Sequence, residues 1–185
     1  MAGLLSLLLL TGCVDRTRLH SLDRPQFDDF AVWLESSGAD YGAFVALLEQ
    51  EGVEDVVPPW HLWRQGTDWR GIGEPPFAAP PPEEWAAIVP TLRILRDEVL
   101  PRVGKIEVVS GVRTELYNQK AGGAPGSRHR WFEAVDLVPR RWWSRPALHV
   151  VLLGWWVDRG EALNLGLGLY SGTRFHVDAW KYRKW

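Results

Sequence analysis

The chain has 185 residues, a formal net charge of -2, and 46% hydrophobic residues, a composition that supports one compact domain with a real core and excludes general disorder. So balanced a charge gives no electrostatic footprint for nucleic acid. A monomer is the expected state. A single cysteine, Cys13, excludes an internal disulfide and a Cys-ligated metal site.

The first element is an apolar run, Leu7 to Leu10, followed by Thr11-Gly12-Cys13. It is too short to span a bilayer, which takes about 20 residues, but it suits the apolar region of a secretory signal. Leu10-Thr11-Gly12-Cys13 resembles the lipobox of bacterial lipoproteins. The resemblance implies that residues 1–12 are removed, that Cys13 carries lipid, and that the protein is exported and anchored to a membrane of the cell envelope. The alternative reading is an incidental or buried thiol. Residues 13–25 are polar and charged, as a tether to a domain over 26–185 would be.

Two short helical patterns follow. Phe27, Phe30, Val32, Trp33 and Leu34 precede Ser36-Ser37-Gly38, and Phe44, Val45, Leu47 and Leu48 run up to Gly52. Residues 58–82 are dense in Pro, Gly and Trp and predict an ordered, irregular wrap anchored by its aromatics. Together these form an extension over 26–82. Residues 83–100 predict an amphipathic helix, with Trp85, Ile88, Leu92, Leu95 and Val99 on one face and a kink or break at Pro90. Strands are expected at 106–109, 134–138, 167–170 and 174–179. One or two helical turns fall at 114–120, and Ser144 caps a helix with Pro146 in its first turn and Leu148, Leu152, Trp155 and Trp156 on its apolar face. Helices first, then strands with helices interspersed, indicate an α+β domain whose small antiparallel sheet lies in a core over 83–185.

Metal-capable residues cluster late in the chain. His129 and Asp136 flank a turn into a strand, and His176 and Asp178 alternate on the last strand, so both point to one face. Two imidazoles and a carboxylate leave one tetrahedral position of zinc open, the pattern of a catalytic site. Zinc lowers the pKa of a water there to about 7. By spacing alone, such residues are more often simple surface or hydrogen-bonding groups. His61 and His149 read as packing or surface residues, and His20 falls in the tether.

Several motifs occur in order: Ser110-Gly111-Val112-Arg113, Tyr117-Asn118, Gly122-Gly123-Ala124, Ser127-Arg128-His129, Ala134-Val135-Asp136, Gly166-Leu167-Gly168-Leu169-Tyr170 and Phe175-His176-Val177-Asp178. This arrangement resembles the zinc D-alanyl-D-alanine carboxypeptidases, VanY-type peptidoglycan peptidases that share a fold with Hedgehog signalling domains. The likeness covers roughly 83–185. It implies zinc ligands at His129, Asp136 and His176, an arginine for the oxyanion or substrate carbonyl at Arg113, and a serine for the substrate's terminal carboxylate at Ser127. The substrate it implies is the peptide stem of peptidoglycan. Two positions depart from the pattern. Phe132 stands where the family usually has Gly, which predicts a differently shaped loop, and Thr173 stands where several relatives carry an acidic general base. Asp178 is then the first candidate for the base, or else orients a ligand histidine; Glu133 is the second candidate. The rival readings are a wall endopeptidase of the same fold and a catalytically silent peptidoglycan-binding lipoprotein.

Overall fold

The computed structural model describes residues 24–185. The expected signal sequence, the Cys13 lipidation site, His20 and the tether up to residue 23 lie outside the described residues. The last two residues of the expected tether are docked on the domain. Arg24 pairs with Glu107 at 2.9 Å, and the Pro25 carbonyl accepts from Arg64 Nη2 at 2.9 Å.

Helices α1 (Phe27–Ser37) and α2 (Tyr41–Gln50) form where the sequence places them. Asp40 caps α2 through Ala43 N at 2.9 Å, and Gly38 and Gly52 end the two helices at φ +67° and +64°. Phe30 and Phe44 are buried against Phe77 and Trp63, with ring centroids 5.3 and 5.2 Å apart. The Pro/Gly/Trp stretch is ordered, as expected: it holds a 3-10 turn (Pro59–Trp63) and a short helix, α3 (Trp69–Ile72). His61 is a packing residue there, edge-on to Trp60. Burial and the charges of Arg64, Arg140 and Arg24 push its pKa down to about 3, so it is neutral.

The amphipathic stretch is one rod over 82–103 whose pitch changes along its length. A 3-10 segment (Pro82–Ile88) gives way to α4 (Val89–Ile94), a π turn (Leu95–Val99) and α5 (Leu100–Val103). Pro90 sits in the first turn of α4, where its missing N–H removes no helix bond, so the break at Pro90 is a change of pitch rather than a kink. The π turn stands just before Pro101, whose ring obstructs regular α geometry one turn back. Trp85, Ile88, Leu92, Leu95 and Val99 are all buried.

Four strands match the sequence reading to within one residue at each end: β1 (Ile106–Ser110), β2 (Ala134–Pro139), β3 (Gly166–Leu169) and β4 (Phe175–Asp178). Helix α6 (Glu115–Lys120) is capped by Thr114, and α7 (Arg145–Arg159) by Ser144. The fold class is α+β, but the sheet is mixed rather than antiparallel. A fifth strand, β5 (Arg183–Lys184), pairs parallel with β3, giving the order β1-β2-β4-β3-β5. Two residues carry no readable alternation, so β5 is invisible to a period-2 pattern.

Alternation sorts the sheet into two faces. Val135, Leu137, Phe175, Val177 and Leu167 share the core with Leu148, Leu152 and Trp155 of α7. Asp136, His176 and Asp178 point the other way. Phe132, just before β2, adopts the left-handed backbone at φ +53° and is fully buried, 5.8 Å from the Phe44 ring. The turn therefore uses a conformation that favours glycine. Its backbone cost of about 1–2 kcal/mol is matched by the roughly 1.5–3 kcal/mol from burying the ring.

Candidate metal centre

Strand register builds the centre. Asp136 on β2 lies directly opposite His176 on β4, and His176 lies opposite Gly168 on β3. The glycines of Gly166-Leu167-Gly168-Leu169 make room for this. A Cβ at Gly166 would lie 2.2 Å from Asp178 Oδ2, and one at Gly168 would lie 2.9 Å from His176 Cβ. His129 arrives from a 3-10 turn (Arg128–Trp131), held by Arg113 N donating to the His129 carbonyl at 2.9 Å. The preceding loop is stitched by Asn118 Nδ2 to the Ala124 carbonyl at 2.9 Å. A Cβ at Gly123 would meet Asn118 Oδ1 at 2.1 Å, which explains a glycine in that motif.

The three expected ligands converge. His129 Nε2 is 3.1 Å from His176 Nδ1 and 3.3 Å from Asp136 Oδ1, and His176 Nδ1 is 3.1 Å from the same oxygen. All three residues are buried, and the group could hold a metal ion. Their outer contacts fix which atoms face inward. His129 Nδ1 lies 2.6 Å from the Gly111 carbonyl and His176 Nε2 lies 2.9 Å from Asp178 Oδ2. Each outer nitrogen meets an acceptor, so with a metal ion bound the ring proton would sit there and each inner nitrogen would present a lone pair. Two such lone pairs and a carboxylate oxygen would be held together by a cation among them, a metal ion or a proton in its place.

Electrostatics agree. Burial opposes ionisation of Asp136, but His129, Arg174 and the hydrogen bonds of both imidazoles outweigh it and hold the carboxyl well below its usual range. Burial and the charge of Arg113 push His129 down to about 4, so it is neutral. Burial also opposes a charged His176, yet its bonds to Asp136 and Asp178 raise its pKa. A proton on that ring is what a metal ion would displace.

Arg113 lies beside the centre rather than apart from it. Its Nη2 donates to Asp136 Oδ2 at 2.7 Å, while Nε is held by Ser110 Oγ at 2.9 Å and the Gln65 carbonyl at 3.2 Å. Its Nη1 makes no hydrogen bond among the described residues. Ser127 opens the turn before His129, and its side chain makes no capping bond, so local turn chemistry does not account for it. Sequence reasoning missed two further partners of Asp136. Arg174 also donates to Oδ2, and the Tyr170 hydroxyl donates to Oδ1 at 3.1 Å. Arg174 stands two residues before His176, so strand alternation could have placed it on the ligand face; Tyr170 ends the Gly166–Tyr170 motif, which gave it no role.

The two base candidates are not equivalent. Glu133 is turned to Arg128, with which it forms an ion pair. Asp178 shares the face of His176, but it sits across the imidazole from the inward atoms. It accepts from Trp180 N at 3.0 Å and from both Nη atoms of Arg183, at 3.2 and 2.7 Å. That is the geometry of a residue that orients a ligand. Asp178→Asn is therefore expected to weaken divalent-metal affinity by ~10–100-fold while leaving the fold intact, as read by competition with a chromophoric chelator. Unchanged affinity would refute the orienting role.

Comparison with family models, curated proteins and solved structures returned no match.

Proposed function

We propose that the protein is a zinc-dependent peptidase of the Hedgehog/DD-peptidase fold that hydrolyses the peptide stems of peptidoglycan, as a D-Ala-D-Ala carboxypeptidase, from a lipid-anchored position in the cell envelope. The observation that carries this reading is the donor triangle. Its edges of 3.1, 3.1 and 3.3 Å approach the roughly 3.3–3.4 Å edge of a tetrahedron built on zinc–ligand bonds of about 2.0–2.1 Å. The donor chemistry, two neutral imidazoles and one carboxylate, suits zinc as well.

Zinc at this centre would supply Lewis acidity, polarising a peptide carbonyl and acidifying water. The side chains around it have separate tasks. Asp178 and the Gly111 carbonyl orient the two imidazoles. Arg113, with Nη1 uncommitted, offers a fixed charged donor to an oxygen that gains negative charge. Burial and the Asp136 charge raise the pKa of Tyr170, which keeps its hydroxyl proton and acts as a donor. Asp68, exposed, accepts from the Tyr117 hydroxyl at 2.9 Å, and its charge is felt by Arg174; it is our candidate for the proton acceptor that Thr173 cannot be.

The test is incubation of zinc-loaded and chelator-stripped protein with purified stem peptides ending in D-Ala-D-Ala, followed by mass spectrometry. The expected product lacks one terminal alanine, appears only with zinc, and falls sharply with Asp68→Asn although zinc is retained. Cleavage inside the stem would make the protein an endopeptidase. Binding without any zinc-dependent cleavage would establish the silent wall-binding reading, which the absence of an acid at Thr173 favours.

A further inference from the structure

The sheet face that carries Asp136 and His176 does not end at the metal centre. It continues as the floor of a groove of about 880 Å³, whose lining includes Tyr170, Thr173 and Arg174 near the centre and Glu107, Val138 and Arg140 beyond it. Register makes this one continuous surface: Glu107 pairs with Val138, two residues along β2 from Asp136, and Arg174 lies two residues before His176. Two residues of the inner wall, Tyr170 and Arg174, are those that bond Asp136. The groove and the donor triangle are thus one side chain apart. Its volume lies in the upper part of the ~300–1,000 Å³ range of small-ligand sites, enough for a short peptide.

The far end of the groove carries unbalanced positive charge. Glu107 spends one oxygen on Arg24 and the other on Arg64, each at 2.9 Å. Arg140 is the third guanidinium there. It is exposed, and its side chain has no hydrogen-bond or ion-pair partner among the described residues. Its charge is felt locally, since it helps to push down the pKa of both His61 and Arg64. Three cations around one carboxylate leave room for another anion, and a guanidinium fork is the geometry that takes a carboxylate in two hydrogen bonds.

We propose that the groove seats the substrate peptide and that Arg140 binds a carboxylate carried by that peptide away from the bond that is cut. This rests on the peptidase reading and adds a specificity determinant to it: the enzyme selects an acidic peptide over its amidated counterpart.

The experiment uses two synthetic peptides ending in D-Ala-D-Ala that are identical except for one upstream side group, a free carboxylate in one and a carboxamide in the other. Dissociation constants are measured by calorimetry, and kcat/KM by product analysis, on zinc-loaded wild-type protein, Arg140→Gln and Arg140→Lys. A charge-assisted hydrogen bond of about 1.5–3 kcal/mol corresponds to a preference for the acid of roughly ten- to a hundred-fold. Arg140→Gln should abolish that preference by weakening binding of the acid far more than of the amide, and Arg140→Lys should restore part of it. Equal affinities for the two peptides, or an acid preference that survives Arg140→Gln, overturns the proposal, as does failure to bind either peptide. A preference that depends on Arg140 in a protein that cleaves neither peptide sustains the subsite and defeats the peptidase reading instead.

Discussion

Asp136→Asn is expected to strip the centre of its metal and, with no metal present, to destabilise the protein by about 3–5 kcal/mol, the usual cost of removing one partner from a buried ion pair. The carboxylate is fully buried and serves two faces. Oδ2 takes Arg113 at 2.7 Å and Arg174, and Oδ1 takes Tyr170 at 3.1 Å and faces both imidazoles. Asparagine keeps the shape but replaces one oxygen with an amide donor. Turned one way, the amide confronts two guanidiniums; turned the other, it confronts the Tyr170 hydroxyl. The first sets donor against donor; in the second the hydroxyl or an imidazole nitrogen can accept, but in both the negative charge that held the two guanidiniums is lost. The side chain of Arg113 is 11% exposed and that of Arg174 31%, so water offsets part of the loss and the lower end of the range is expected. Urea denaturation in excess chelator reads the metal-free cost. Added zinc should stabilise the wild type by about 2.7 kcal/mol at a hundred times its dissociation constant and should not move the variant. A variant within 1 kcal/mol of wild type in chelator would refute the buried-charge account.

Much of the fold is legible because each element carries its own punctuation. The strands β1 to β4 are short β-branched or alternating runs between turn residues, and α7 announces itself through Ser144 and Pro146. The same local rules fail where structure depends on distant partners. β5 exists because its backbone and that of Trp185 bond the far side of β3: Arg183 N donates to Leu165 O at 3.1 Å and Trp185 N to Leu167 O at 3.2 Å. No pattern within residues 183–185 encodes that. The pitch changes along 82–103 were half legible, since Pro90 marked one boundary while the π turn before Pro101 was not anticipated.

The site divides in the same way. Alternation placed His176 and Asp178 on one face, and the motif order supplied His129, Asp136 and Arg113 as a set. What sequence could not show is direction within the set. Asp178 looks like a base when only its face is known. The contact with His176 Nε2, on the ring edge away from the other ligands, makes it an orienting residue. Phe132 illustrates the converse. A bulky residue here occupies a left-handed turn that favours glycine, and its ring is driven into the core against Phe44.

Gly111→Ala is expected to cost about 3 kcal/mol or more, through overpacking and lost buried hydrogen bonds together. This glycine is required by proximity rather than by an unusual backbone angle. A Cβ there would lie 2.0 Å from the Leu62 carbonyl oxygen, 2.6 Å from its carbon and 2.9 Å from Leu62 Cα, all of them backbone atoms that cannot rotate away. Nor can the chain back off freely. Gly111 N donates to Arg64 O at 2.8 Å, and Val112 N donates to Leu62 O at 3.0 Å, so separation breaks both. The neighbouring carbonyl, that of Gly111 itself, holds His129 Nδ1 at 2.6 Å and with it the inward lone pair on Nε2. A shift at Gly111 therefore reaches the metal centre in one step. Metal affinity of the folded fraction should fall along with stability, measured by chelator competition at a temperature where the variant is still native. Gly126→Ala is the control, because a Cβ there meets nothing within 4 Å, and it should leave both quantities unchanged. If Gly111→Ala loses stability but binds metal as tightly as the wild type, the Gly111 carbonyl does not set the His129 ligand. If it loses neither, the close contact with Leu62 is not a constraint on the fold.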